Sequence, residues 1–441
     1  MKNKAKYLTT IIGLLLIPVL TSCSNGTNKC VYSSGEAPKT DSSSEQQSDS
    51  GEDQYIEGYV EGYSDGYNDG QETGYEDGYK DGKDDGHDEG YEDGYNDGKK
   101  DQEELDRDNR SIHTEAQLLY LNDKNYKAVP EGIDGSSERS KPLPLEFSIQ
   151  ESPLFEFSEV TSSKLRISED QQFSNYVEVN GNNSHFEVYN LKINTKYYYY
   201  YFAETSHGTF YSDIKEVFVR NEAPRLLNID GVTNARDDGG WKIAGEDKYT
   251  QQGIVYRMGK LHTSSTKYIT ADGIEAFKAL GIKTEIDLRN AEDNNTVYES
   301  AVDGVTYYNC PMNLNYSFFT NENNRQSIKE VLKLFANKNN YPLMFHCSIG
   351  TDRTGFISFI INALAGVEEE CLYRDYLMSN YASIGGIRDA AAINNYIYAL
   401  KGDYEGGTDL SLGAKNYMLD LGLTESEIGT IKDMLLGNIN I

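Results

Sequence analysis

The second half of the chain alternates between two spacings of apolar residues, one typical of helices and one typical of strands. Residues 271–280 have a helical pattern that ends at Gly281, and the following apolar residues, 282–288, predict a strand. Residues 304–309 predict another strand, and a helical pattern precedes a short apolar strand that begins at Leu343. Strands that alternate with helices predict an α/β fold with a central, mostly parallel sheet.

Residues 141–221 have a different pattern, in which apolar and polar residues alternate over short stretches. Residues 145–149, 186–188 and 216–219 each alternate in this way. This pattern predicts strands that are buried on one face, and we expect a small β-sandwich of its own. The alternative is a β-rich extension of the following domain, without an independent fold.

One pair of residues in this region narrows the expectation. Leu191 lies six residues before Tyr197, a spacing that resembles the tyrosine corner of a fibronectin type III domain. Tyr199 and Tyr201 would face the same side of the strand as Tyr197, because side chains alternate along a strand. The resemblance implies a role in spacing or docking.

Residues 1–22 predict a bacterial lipoprotein signal peptide rather than part of a fold. Three lysines precede an apolar stretch over residues 7–20, and residues 20–23 read L-T-S-C. The stretch is too short for a membrane-spanning helix, which is the alternative. Cys23 would become the acylated N-terminus, so we expect a protein anchored by lipid to the cell membrane, on its extracytoplasmic side.

A serine-rich linker over residues 23–54 leads to an acidic repeat segment over residues 55–110. Every fourth residue from 58 to 98 is glycine, eleven in all, and tyrosine follows or precedes most of them. The tyrosines could form a stripe on a helix, but each glycine costs a helix about 1 kcal/mol, so we expect a weak helix or disorder. We expect a spacer; the alternative is a segment that binds a cell-surface partner.

Charge and cysteine content exclude several functions. The net charge is −30, and residues 41–110 hold 25 acidic and 6 basic residues. Since the chain has no basic stripe, nucleic acid is not an expected partner. The five cysteines are too few for a disulfide scaffold. Cys310 and Cys371 are expected to be core thiols, although a disulfide of either with Cys347 is left open. No metal site and no cofactor are predicted.

Residues 346–355 read H-C-S-I-G-T-D-R-T-G and lie between a predicted strand and a predicted helix. A loop that enters a helix points free N–H groups inward and adds the positive end of the helix dipole. Both favour a dianionic phosphate, and both lower the pKa of a cysteine at that place. Cys347 is therefore a candidate nucleophile, and Arg353 is a candidate clamp for phosphoryl oxygens. The alternative, a buried core thiol beside a surface arginine, does not explain why six positions match together.

This run resembles the signature loop of cysteine-dependent protein tyrosine phosphatases. Asp352, before the arginine, makes it similar to a bacterial tyrosine phosphatase family whose loop reads H-C-x-x-G-K-D-R-T-G. Residues 234–240 (N-A-R-D-D-G-G), 253–257 (G-I-V-Y-R) and 281–289 (G-I-K-T-E-I-D-L-R) resemble further segments of that family. The resemblance covers residues 222–441 and implies a tyrosine phosphatase domain there.

The chain departs from the family pattern at three positions. Thr351 stands where the family has lysine, which removes a phosphate-facing cation and weakens the case for phosphoinositide substrates. Asp238 replaces a leucine, and Met258 replaces a serine. None of these departures removes the nucleophile or the clamp.

The expected reaction has two steps through a cysteinyl-phosphate on Cys347. Thr354 is expected to donate its hydroxyl to the thiolate, and His346 to order the loop. The general acid is either Asp352, which the resemblance favours, or Asp287 at the end of a predicted strand. Asp287 could instead pair with a neighbouring arginine. The phosphate is expected to be held by the arginine and by backbone N–H groups of the loop: Ser348, Ile349, Gly350, Thr351, Asp352 and Arg353.

Two functions remain after this reasoning. The first is an exported, lipid-anchored phosphatase that hydrolyses phosphotyrosine or related phosphomonoesters of proteins or small molecules, with phosphoserine or phosphoinositides left open. The second is a surface binding or adhesion lipoprotein with an inactive phosphatase-like domain. The intact pair of Cys347 and Arg353 favours the first.

Overall fold

The structure is a computed structural model that describes residues 108–149, 160–181, 184–205, 208–293, 296–314 and 317–439. The predicted signal peptide, the lipidation of Cys23, the serine-rich linker and the Tyr/Gly repeat lie outside these residues. None of the described helices is both long and apolar enough to cross a membrane.

A β domain with two sheets forms the first part. The larger sheet has the order β1-β8-β6-β3-β4, with β7 paired to β6, and the smaller sheet pairs β2 with β5. All pairs are antiparallel except β1 with β8. The strands are β1 (Asn109–Arg110), β2 (Leu145–Ser148), β3 (Val160–Ser168), β4 (Val177–Asn180), β5 (His185–Val188), β6 (Thr195–Thr205), β7 (Gly208–Tyr211) and β8 (Lys215–Val219).

One buried apolar core lies between the strands of the two sheets. Tyr197, Tyr199 and Tyr201 all point into it, as the alternation along β6 predicts. The hydroxyl of Tyr197 accepts a hydrogen bond from the N–H of Lys192 at 2.8 Å, five residues earlier. This contact is the one that a tyrosine corner makes. The assignments as a β-sandwich and as a fibronectin type III-like domain stay predictions.

A mixed α/β domain follows, which confirms the predicted fold class. Its sheet has the order β12-β11-β13-β10-β9; the first four strands are parallel, and β9 is antiparallel at the edge. The strands are β9 (Arg236–Asp237), β10 (Val255–Met258), β11 (Thr284–Asp287), β12 (Thr306–Asn309) and β13 (Leu343–His346). The helices are α2 (Ala271–Ala279), α3 (Glu322–Phe335), α4 (Asp352–Ala365), α5 (Glu369–Met378), α6 (Ala391–Lys401), α7 (Leu410–Asp420) and α8 (Glu425–Leu435).

The register of this sheet determines where a site can form. His346 at the end of β13 pairs with Met258 of β10 on one side and with Asp287 of β11 on the other. The carboxyl ends of three parallel strands therefore lie together, which is where the sites of α/β proteins collect. Helix α4 begins at Asp352, directly after the loop that follows β13, and all its residues are buried.

The segment between β1 and β2 packs against the α/β domain. Its helix, α1 (Glu115–Leu121), begins with a capping box between Thr114 and Gln117. The guanidinium of Arg374 in α5 donates to the carbonyl of Tyr120 at 2.6 Å. Sequence patterns did not assign residues 111–140 to either domain, because their contacts are with residues far away in the chain.

Candidate active site

The loop between β13 and α4 consists of residues 347–351 and needs a glycine at one position. Gly350 has a φ of 71°, in the left-handed region, and a Cβ there would lie 2.5 Å from the carbonyl carbon of Met258. Any other residue would strain the backbone and collide with β10. The glycine lets the loop turn tightly over the end of the sheet.

Two side chains bind the loop from behind. Asn234 donates its amide to the carbonyl oxygens of Ile349 at 3.2 Å and Gly350 at 3.0 Å. Arg257 at the end of β10 donates to the same Gly350 carbonyl at 2.9 Å. These carbonyls thus face Asn234 and Arg257, and the N–H of Ile349 faces the thiol.

A buried ionic network supports these two side chains. The guanidinium of Arg236 donates to Asp375 at 2.8 Å, and Arg257 binds the other oxygen of the same carboxylate. Ser358 joins Asp375 to Asp238, which burial and the charge of Asp375 raise to a pKa of about 7. The segments that resemble family motifs, residues 234–240 and 253–257, thus contribute the support of the loop.

Cys347 lies at the centre of the loop, and its residue is 1% exposed. Burial by itself would raise the pKa of the thiol. The charge of Arg353 and hydrogen bonds from Thr354 and the N–H of Ile349 outweigh burial, so the pKa of Cys347 is lowered. The side chain of Thr354 is buried, and its hydroxyl is one of the groups that lower the pKa of the thiol. Lowering of the pKa favours the nucleophilic thiolate.

Arg353 is the candidate for binding phosphoryl oxygens. Its guanidinium is positioned by Asp293, which the sequence analysis did not identify. Asp293 accepts two hydrogen bonds from its terminal nitrogens, with Nη2 to Oδ1 at 2.8 Å. The hydroxyl of Ser348 also donates to Asp293, at 2.7 Å. Burial opposes ionisation of Asp293, but Arg353 and Ser348 hold its pKa at about 2.

The Nε–H of Arg353 is buried and has no hydrogen-bond partner among the described residues. An unpaired buried donor costs about 1–3 kcal/mol, so such groups are uncommon unless a ligand binds them. An anion beside Cys347 would pair with this donor.

The carboxylate of Asp352 points to two partners outside the loop. Arg388 donates to it with Nε at 2.9 Å and Nη2 at 3.1 Å, and the hydroxyl of Tyr376 donates at 3.3 Å. The side chain of Asp352 is 2% exposed, and that of Arg388 is 22% exposed. Asp352 is thus at the site, with its orientation fixed by Arg388.

Asp287, the other candidate acid, is enclosed. Arg289 donates to both of its oxygens, the closest at 2.7 Å, and the hydroxyl of Tyr307 donates at 2.8 Å. Burial opposes ionisation, but the charges of His346 and Arg289 lower the pKa of Asp287. These contacts match the structural alternative that the sequence left open.

His346 lies below the loop and faces away from the thiol. Its Nε2 is 2.9 Å from Glu285, and its Nδ1 is 3.1 Å from the Cys347 carbonyl oxygen. Burial would lower its pKa, but Asp287 and Glu285 together raise it. His346 is placed to order the loop.

Thr351, which stands at the lysine position of the family, is buried and does not add a cation to the site. Its hydroxyl accepts a hydrogen bond from Asn234 at 3.2 Å, so the side chain points to the support of the loop. The remaining loop residues, Ser348 and Ile349, are half-buried.

The other cysteines and the metal-ligand residues do not extend the site. Cys310 and Cys347 are free thiols, whereas Cys371 is disulfide-bonded rather than the core thiol that we expected. Within the described ranges, one trio has the spacing of metal ligands, Glu146, His185 and Glu187, and it is exposed on the β domain.

A thiol of lowered pKa at a helix start, facing a guanidinium, is the arrangement of a cysteine-based phosphatase. Comparison with known proteins supports this class, since residues 227–437 match the model of the tyrosine phosphatase family. This match implies a phosphatase hydrolase.

The individual proteins to which the chain is similar share little sequence identity with it. A candidate tyrosine-protein phosphatase of Cupriavidus necator is 25% identical over 179 residues, which is 35% of this chain and 63% of that protein. A crystal structure of the core catalytic domain of the PP-IP phosphatase SIW14 from S. cerevisiae, in complex with citrate, has 16% identity and a TM-score of 0.26, covering 38% of this chain and 93% of that chain. A second Siw14 catalytic core structure has 16% identity and a TM-score of 0.22, over 36% of this chain and 96% of that chain.

Proposed function

We propose that the chain hydrolyses phosphotyrosine or related phosphomonoesters through a covalent intermediate on Cys347. Two observations at the site support the proposal together. The pKa of the Cys347 thiol is lowered, and the buried Nε–H of Arg353 has no hydrogen-bond partner among the described residues. A thiolate, a cation and loop N–H groups at one helix start can bind a phosphate dianion and attack it.

In the first step, the Cys347 thiolate attacks phosphorus, the S–P bond forms, the bond to the ester oxygen breaks, and Asp352 gives its proton to the leaving oxygen. Arg353 and the loop N–H groups bind the three equatorial oxygens, whose charge is spread in the transition state. Asp293 acts as a positioning residue, because it holds both terminal nitrogens of Arg353 and leaves the Nε–H for the phosphate.

In the second step, water attacks phosphorus, the S–P bond breaks and inorganic phosphate leaves. Thr354 donates its hydroxyl to the departing thiolate. Both aspartates bind an arginine and a tyrosine, but the arginine of Asp352 is partly exposed and that of Asp287 is buried. Asp352, which directly follows the loop, is therefore the proposed group for proton transfer. The carboxylate that remains after the first step takes a proton from the attacking water.

These roles favour aryl esters as substrates. A phenolate is a better leaving group than an alkoxide, so it depends least on proton donation in the first step. The threonine at the lysine position removes a cation that a second phosphate would use, which argues against phosphoinositides. Export and lipid anchoring through Cys23 are part of the proposal, supported by the sequence of residues 1–23.

A substrate panel tests the proposal. The full chain and its Cys347→Ser variant are incubated with p-nitrophenyl phosphate, a phosphotyrosine peptide, a phosphoserine peptide and a phosphoinositide. We expect release of phosphate from the two aryl esters by the wild type and none by the variant. If the wild type released phosphate from no substrate, the alternative of a binding lipoprotein with an inactive domain would replace the proposal.

A further inference from the structure

Residues 132–140, which lie between β1 and β2 and outside the match to the phosphatase family, contact a loop at the active site. This loop, residues 379–390, connects α5 to α6 and carries Arg388. The N–H groups of Ile384 and Gly385 both donate to the carbonyl of Gly135, at 2.9 and 3.0 Å. The two segments are therefore joined through their backbones.

Further hydrogen bonds extend this contact in both directions. The N–H of Arg139 donates to the carbonyl of Tyr381 at 2.6 Å. The carboxylate of Glu138 accepts from the N–H of Ser383 at 3.3 Å and also from the hydroxyl of Thr233. Thr233 precedes Asn234, which binds the phosphate loop from behind, so the segment contacts two supports of the site.

Close packing at Gly135 connects this segment to Arg388. Gly135 has a φ of 65°, and a Cβ there would lie 2.7 Å from the carbonyl oxygen of Gly386. That same oxygen accepts a hydrogen bond from Nη1 of Arg388 at 3.2 Å. Any side chain at residue 135 would displace the carbonyl that Arg388 uses.

Arg388 in turn fixes the proposed proton-transfer group. Its backbone is held by Asn380, which donates to the Arg388 carbonyl at 2.7 Å and accepts from the Arg388 N–H at 2.7 Å. Its guanidinium binds both oxygens of Asp352. A continuous series of contacts thus runs from Gly135 through Gly386 and Arg388 to the loop that holds the thiol.

We infer that residues 132–140 form a brace that positions Arg388, and through it Asp352, so that the active site is completed by a segment encoded between β1 and β2, outside the α/β domain. The inference rests on the proposed function. Arg388 and Gly135 are positioning residues: neither is argued to touch the substrate, and both act on how Asp352 is oriented for proton transfer.

The test compares two glycine variants of the full chain, Gly135→Val and Gly132→Val. Both glycines have a positive φ, 65° and 70°, but a Cβ at residue 132 meets nothing within 4 Å. Turnover is measured with p-nitrophenyl phosphate and with phenyl phosphate, whose leaving group is poorer. A smaller folded fraction of a variant lowers both rates by the same factor. The ratio of the two rates therefore does not depend on how much of the variant is folded.

We expect Gly135→Val to lower the rate on phenyl phosphate about tenfold more than the rate on p-nitrophenyl phosphate, because proton transfer matters more for the poorer leaving group. Gly132→Val should keep the wild-type ratio. Arg388→Gln should reproduce the effect of Gly135→Val, and Arg388→Lys should restore part of the ratio.

Equal ratios for Gly135→Val and Gly132→Val would overturn the inference while leaving the proposed function intact. If Gly135→Val is insoluble, Glu138→Ala takes its place, since it removes the acceptor for Ser383 and Thr233; an unchanged ratio in that variant would overturn the inference as well. Absence of turnover of both substrates by the wild type would refute the proposed function and the inference with it.

Discussion

The two domains bury very different interiors. The core of the β domain is made of aliphatic and aromatic side chains, and the buried polar side chains of its strands are serines, Ser163 and Ser168. The α/β domain buries many charged groups around one loop, among them Arg236, Arg257 and Asp375. Burying a charge is costly unless it is paired, so the second interior is organised to hold a site rather than only to stabilise a fold.

If this difference is correct, charge changes in the α/β domain should have large effects and matched changes on the β domain small ones. Each domain offers an arginine bound to a carboxylate and a carboxylate bound to two cations.

The largest effect is expected for Arg353→Lys. Lysine carries one ammonium and cannot both bind Asp293 with two nitrogens and leave a third donor for the phosphate. We expect turnover of p-nitrophenyl phosphate to fall by about 10²–10³-fold, the loss typical of removing a transition-state donor. Arg166→Lys in the β domain, where Arg166 binds Glu178 at 2.8 Å, is the control and should keep full activity.

The second effect concerns stability. Asp375→Asn leaves Arg236 and Arg257 without their shared charge partner in a buried place, which should lower the free energy of unfolding by about 3–5 kcal/mol. Urea unfolding measures it. The control is Glu178→Gln, because Glu178 also binds two cations, Lys164 and Arg166, but on the surface.

Loss of a surface pair costs about 0–1 kcal/mol. Equal losses in Asp375→Asn and Glu178→Gln would contradict the difference between the two interiors.

The third effect is a change in pH dependence. Burial and the charge of Asp375 raise the pKa of Asp238 to about 7, whereas in the unfolded chain it is about 3.9. Between these values the folded protein holds a proton that the unfolded chain releases, so this group makes the protein less stable as pH rises from 4 to 7. Asp238→Asn removes that contribution.

Urea unfolding at pH 5 and at pH 8 should therefore show a smaller decrease with pH for Asp238→Asn than for the wild type. Each unit of pKa difference is worth about 1.4 kcal/mol. Asp409→Asn, at the exposed start of α7, is the comparison variant for which we expect the wild-type decrease. An identical pH dependence in the wild type and in Asp238→Asn would show that Asp238 is ionised throughout.

The smallest effect is expected for Tyr197→Phe in the β domain. It removes the hydrogen bond from the Lys192 N–H and leaves the ring in place, so the expected loss of stability is about 0.5–1.5 kcal/mol. Thermal unfolding measures the loss, and turnover should not change. A loss of activity would mean that the β domain takes part in the site.

How far the sequence predicted this molecule depends on the distance over which each feature is determined. The loop from Cys347 to Arg353 is local, so its residue types and spacing were sufficient to identify it. Asp293 lies 60 residues from the arginine that it binds. The position of Asp293 in the loop after β11 could have indicated its role, because loops at the carboxyl ends of parallel strands meet.

No comparable feature of the sequence indicates the contacts of the brace, residues 132–140. The contact of Gly135 with Gly386 and the pairing of Arg388 with Asp352 depend on how loops fold against each other, which apolar periodicity does not encode. The same holds for Asp287: its place at the end of a strand suggested catalysis, but the structure surrounds it with Arg289 and Tyr307. Patterns predicted the scaffold and the nucleophile, and long-range contacts decided the partners.

Trapping of the covalent intermediate tests whether Cys347 is the nucleophile. The full chain is mixed with p-nitrophenyl phosphate, quenched in acid within the first turnover and digested for mass spectrometry. The account predicts one phosphoryl group on the peptide that contains Cys347, and none in Cys347→Ser. Turnover by the wild type with no phosphoryl group on that peptide, or with equal turnover by Cys347→Ser, would contradict it.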